Sequence, residues 1–81
     1  MLINKTENQR NNISGIKIAA VRKSMRISQR QLAERLEEAG LVIDKNAVQR
    51  IESGQRFVID TELQIIARVL NISVSELLGL K

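Results

Sequence analysis

From Ser14 onward, apolar residues recur at helical spacing and polar residues fill the positions between them. Ile18, Val21 and Met25 lie on one face of a first predicted helix, Ser14 to Ser24. A second helix starts at Ser28, where "SQRQ" has the form of a capping box, with Ser28 as N-cap and Gln31 three residues on. Its stripe is Leu32, Ala33 and Leu36, and Gly40 is a natural stop. Asp44 caps a third helix that ends near Gly54. A fourth begins at Asp60, has Glu62 in its first turn, carries Leu63, Ile66, Ala67 and Leu70, and stops near Asn71. A fifth begins at Ser73, where "SVSE" reads as a second capping box. Its Leu77 and Leu78 are expected to face inward, and Gly79 ends it. The "FVI" at 57 to 59 has no visible partner strand.

This pattern predicts an all-α domain of five short helices over residues 13–81. Residues 1–12 are polar and rich in Asn with no sustained period, and are expected to form a flexible tail. Neither an internal repeat nor a linker marks a second domain in these 81 residues.

The third helix divides most sharply. With a step of about 100° per residue, Lys45, Asn46, Gln49, Arg50 and Ser53 fall within an arc of about 140°. Ala47, Val48 and Ile51 fall opposite. Val48 and Ile51 would anchor the helix and turn the polar arc outward as a unit. Lys and Arg can donate to guanine, and Asn and Gln can make bidentate pairs with adenine. A helix that enters a major groove needs this division, with its first turn deepest. Lys45, Asn46 and Gln49 are therefore the candidate base readers, and Arg50 a base or phosphate contact. The competing reading is an ordinary solvated helix face.

Composition narrows the choice. Thirteen Lys and Arg against nine Asp and Glu leave a net charge of +4, which favours polyanionic partners. Phe57 is the only aromatic residue, which argues against modules that stack RNA bases on aromatic platforms. No His, Cys or Tyr is present, so the usual nucleophile–base pairs, disulfides and His or Cys zinc sites are excluded. Glu37 and Glu38 are neighbours that diverge on a helix, and no glycine-rich phosphate loop occurs. No enzymatic activity, cofactor or metal is expected. With no secretory signal and no long apolar run, the protein is expected to be soluble and cytoplasmic, with no membrane partner.

Three stretches occur together in order: "ISQRQLA", "VQRIESGQR" and "LNISVSELL". With them the chain, from about Ile16 to Leu80, resembles the lambda-repressor-like helix-turn-helix family, the phage repressor and Cro group also called Xre. The resemblance implies a five-helix bundle with helix-turn-helix at helices 2 and 3. It implies sequence-specific binding of double-stranded DNA, usually as a homodimer on a palindromic operator. It also implies a bacterial or phage-encoded, nucleoid-associated transcriptional regulator, expected here to be a repressor. By position, Lys45, Asn46 and Gln49 match base-reading residues. Gln29 matches a glutamine that holds a backbone phosphate, with Arg30 beside it as a further phosphate candidate. Ser53 and Arg56 match phosphate contacts after helix 3. Arg22 and Glu52 match an ion pair that links helix 1 to helix 3.

The chain departs from the pattern between helices 2 and 3. There "EEAGLVIDK" makes the turn about five residues longer than the usual three or four. Either helix 2 runs another turn through Glu38 and Ala39, or the loop protrudes and Leu41 and Ile43 return to the core. The fold can also lose DNA binding and keep a protein partner. A protein-interaction module or an antitoxin-like partner binder is thus the alternative, although the helix 3 arc offers no apolar or aromatic anchor.

Overall fold

Helix ends organise the chain. In the computed structural model, which describes residues 9–80, the helices are α1 (Gly15–Ser24), α2 (Gln29–Glu38), α3 (Lys45–Ser53), α4 (Asp60–Leu70) and α5 (Val74–Leu77). No strand occurs among the described residues, so the all-α expectation holds. Ser28 Oγ accepts the Gln31 N–H at 3.0 Å, and Gln31 Oε1 accepts the Ser28 N–H at 2.7 Å, closing the predicted box on α2. Asp44 Oδ1 accepts the Ala47 N–H at 2.8 Å and starts α3.

The box expected on α5 is only half formed. Ser73 Oγ accepts the Glu76 N–H at 3.0 Å, but the Glu76 carboxylate lies 3.9 Å from Lys17 Nζ on α1. Leu78 also departs from expectation: Leu77 is fully buried, whereas Leu78 is the C-cap of α5 and only half-buried. In this four-residue helix, Leu77 and the half-buried Val74 three residues earlier face the core.

All five helices close the same way. The residue after each last turn is left-handed, and the next amide reaches back to the helix. Gly40, Gly54 and Gly79 serve α2, α3 and α5, and Asn71 serves α4. At the end of α1 the residue is Arg26, with φ 61°. A side chain with a Cβ is strained in this region, so Arg26→Gly is expected to add about 0.5–1 kcal/mol of stability. In a domain of this size that raises the thermal midpoint by roughly 2–8 °C. A lower midpoint would show that Arg26 has a compensating role.

The core gathers Ile18, Leu32, Leu36, Val48, Ile51, Ile66, Leu70 and Leu77 from all five helices. α3 packs against α1 and α2, α4 against the same pair, and α5 against α4. The long turn takes both of its predicted courses in part. α2 continues through Glu38, and Leu41 and Ile43 of the remaining loop pack against the core while Val42 stays exposed. The "FVI" segment is irregular: Val58 packs inward, and Phe57 and Ile59 are exposed.

The polar N-terminal stretch also differs from expectation. From Arg10 on it is seated on the end of α3, and Asn12 is buried. The remainder of the expected tail, residues 1–8, lies outside the described residues. Among the described residues, no helix is long and apolar enough to cross a membrane.

Candidate nucleic-acid interface

The two faces of α3 separate as its sequence requires. Ala47, Val48 and Ile51 are buried, which fixes the helix against α1 and α2. Lys45, Asn46, Gln49, Arg50 and Ser53 are all exposed. The outward arc is therefore wholly hydrogen-bonding and cationic, with no carboxylate among those five residues. Arg30, at the start of α2, is exposed as well. Arg30 and Lys45 line an open cleft between α2 and the α2–α3 loop together with Glu34, Glu37 and Asp44.

Beneath the arc, Glu52 joins three helices. Its Oε2 accepts from Arg22 Nε at 2.6 Å, and its Oε1 accepts from Arg22 Nη2 at 3.0 Å. The same Oε1 accepts from Gln29 Nε2 at 3.0 Å. Arg22 Nη1 donates to the Ile27 carbonyl at 2.8 Å, tying the α1–α2 turn into the group. Both partners of the ion pair are nearly buried, with side-chain exposures of 10% and 8%. The expected link from helix 1 to helix 3 is present as a two-point fork, the geometry in which guanidinium holds carboxylate best.

Gln29 is thereby partly committed. One amide proton goes to Glu52, and the rest of this half-buried side chain stays at the α2 N-terminus, where the first-turn amides also have no helical acceptor. Arg56 is committed more fully. Its Nη1 and Nη2 donate to the two carboxylate oxygens of Glu62 at 3.0 Å each, and Nη1 also donates to the Phe57 carbonyl at 3.1 Å. Of the five guanidinium protons, this leaves the one on Nε and one on Nη2 for another acceptor. The family resemblance pointed to a phosphate contact here and gave no sign of this partner, which comes from the first turn of α4.

Glu62 serves two ends. It also accepts the Ile59 N–H at 3.2 Å, which supplies the cap that the Ile59 side chain cannot. The hydrogen bonds from Arg56 hold the Glu62 carboxyl below its usual range, and the same contact raises Arg56 further. Because the folded value of Glu62 is depressed, its ionised form stabilises the fold. That contribution is present at neutral pH and is lost as pH falls through the carboxylate range. Glu62→Gln is expected to be less stable at neutral pH, with the two stability curves converging in acid. Parallel curves from urea titrations across that range would contradict this.

Sequence reasoning missed Arg10, Asn11 and Asn12 altogether. Arg10 Nη2 donates to the Glu52 carbonyl at 2.8 Å. The Asn11 N–H donates to the Gly54 carbonyl at 2.7 Å, and Asn11 Nδ2 to the Gln55 carbonyl at 2.9 Å. Asn12 Nδ2 donates to the carbonyls of Ile51 at 3.0 Å and Arg56 at 2.7 Å, while its Oδ1 accepts the Gly15 N–H at 2.7 Å. The signal available was that last contact: Asn three residues ahead of a helix amide is cap chemistry.

A helix-turn-helix family model matches residues 18–77, most of the chain and nearly all of the packed unit. No curated protein matched the chain. No solved structure matched it either. The five helices, the buried anchor face of α3 and this match together establish that the chain belongs to the Xre-type, lambda-repressor-like helix-turn-helix family, whose members are DNA-binding regulators and not enzymes.

Proposed function

We infer that this DNA-binding regulator is a sequence-specific repressor that places α3 in the major groove. The carrying observation is the exposed arc of Lys45, Asn46, Gln49, Arg50 and Ser53 on a helix whose other face is locked in the core. Lys45, Asn46 and Gln49 read bases, with Arg50 at the groove edge. Gln29 and Arg30 at the α2 N-terminus, and Ser53 at the end of α3 with Arg56 beyond it, hold phosphates on either side. One helix reads only a few base pairs, so a homodimer on a palindromic operator is the natural working form. The site of action is the nucleoid of a bacterial or phage-infected cell.

The second copy is placed at α5 and the end of α4. There Ile72 and Val74 pack on the chain's own core, and Leu80 is the large apolar residue left exposed. A second reading, a protein-partner surface on the same fold, draws on Phe57 and Ile59, exposed in the α3–α4 loop. Amide shifts on titration with a short duplex at low salt separate the two. Perturbation centred on residues 45–53 and 29–30 supports the DNA reading of the arc. Shifts confined to other faces would overturn it.

A further inference from the structure

The N-terminal segment and the loop after α3 form one hydrogen-bonded unit. Donors from Arg10, Asn11 and Asn12 meet five consecutive or near-consecutive carbonyls: those of Ile51, Glu52, Gly54, Gln55 and Arg56. These include the carbonyls that a helix C-terminus leaves without partners, and the Arg10 cation suits the negative end of the α3 dipole. Asn12 is 8% exposed, and its bond to the Ile51 carbonyl is shielded from water. No side chain fits at Gly15, where an added Cβ would collide with the Ile51 carbonyl of α3 and with the Arg10 and Asn12 side chains of the segment.

The carbonyls held this way belong to the stretch that carries Ser53 and Arg56. The Arg56 backbone is fixed at both ends: its N–H donates to the Arg50 carbonyl at 3.2 Å, and its carbonyl accepts from Asn12. Its guanidinium is fixed by Glu62. Removing the Asn12 bond releases one of the two backbone ties from which the guanidinium is aimed.

We propose that Asn12, aided by Asn11, is a positioning residue for the DNA-backbone grip, acting through Arg56. This rests on the phosphate role assigned to Arg56 above. Asn12 touches no base, so its loss weakens all duplexes alike. The predicted signature is a weaker salt dependence together with an unchanged ratio between preferred and random sequence.

The test is a double-mutant cycle in the full chain, with Asn12→Ala and Arg56→Gln alone and together. Affinities for a selected duplex and a random duplex are measured over a salt series, at a temperature where circular dichroism shows each variant folded. Arg56→Gln should lower the slope of log affinity against log salt by about one. Asn12→Ala should lower both affinities by about tenfold and the slope by a similar amount. The double variant should bind no more weakly than Arg56→Gln. Additive losses, or a folded Asn12→Ala with wild-type slope, overturn the proposal while leaving the DNA reading in place. An unchanged slope for Arg56→Gln overturns the phosphate assignment itself, and the proposal with it. If Asn12→Ala does not fold, Asn11→Ala, which removes only the side-chain bond to Gln55, takes its place in the cycle and is judged by the same additivity.

Discussion

Arg22→Ala is expected to cost about 3–5 kcal/mol, the penalty for breaking a buried ion pair by removing one partner. A small domain has a net stability of roughly 5–15 kcal/mol, so the variant should be at the edge of folding. The size of the effect follows from what is left behind. Glu52 keeps only the Gln29 amide, with its side chain 8% exposed, and the Ile27 carbonyl loses the donor that pins the α1–α2 turn. An unpaired carboxylate so placed is far more costly than a lost surface charge, which is worth roughly 0–1 kcal/mol. Replacing both partners with apolar residues of similar volume, Arg22→Met with Glu52→Leu, should recover much of the loss, because no buried charge is then stranded. Urea unfolding of the wild type and these two variants decides it. A loss under about 1 kcal/mol for Arg22→Ala would mean that water reaches the pair in solution.

Gln49→Ala is expected to act on recognition and leave the fold alone. The side chain is exposed on the arc, so stability should change by no more than about 0.5 kcal/mol. Discrimination between the preferred duplex and a variant at the base that Gln49 reads should fall by roughly 1–3 kcal/mol, the worth of one bidentate base contact. Affinity for random duplex should be nearly unchanged, because no phosphate-neutralising charge is removed. Competition binding against single-base operator variants measures this directly. A preserved preference at every position would remove Gln49 from the set of base readers and shift that role toward Lys45 and Asn46.

Most of the fold was legible because local chemistry wrote it. Ser28, Asp44 and Ser73 accept the amides that their cap positions predict, and the stripes of α2, α3 and α4 are the buried residues, except that Leu63 is only half-buried. The arc on α3 was legible for the same reason: its two faces are set by helical spacing and by the anchors Val48 and Ile51. What was not legible depends on groups distant in sequence. Glu76 satisfies the spacing of a capping box, yet its carboxylate lies near Lys17, a choice that only the packing of α1 beside α5 presents. Arg56 reads as a free phosphate donor until α4 delivers Glu62 to it. Arg10–Asn12 reads as a polar tail because its partners are backbone carbonyls some forty residues away, and a carbonyl has no side-chain signature. The Arg22–Glu52 pair was reached through family resemblance, with the half-buried position of Glu52 making it physically reasonable.

The central claim is that α3 reads sequence. Selection from a random duplex pool, followed by titration of the enriched duplex at two salt concentrations, tests it most directly. The expected result is a palindromic consensus with half-sites about one helical turn apart, bound well above random duplex at moderate salt. An unenriched pool, with weak binding that vanishes as salt rises, would leave only the phosphate attraction and contradict it.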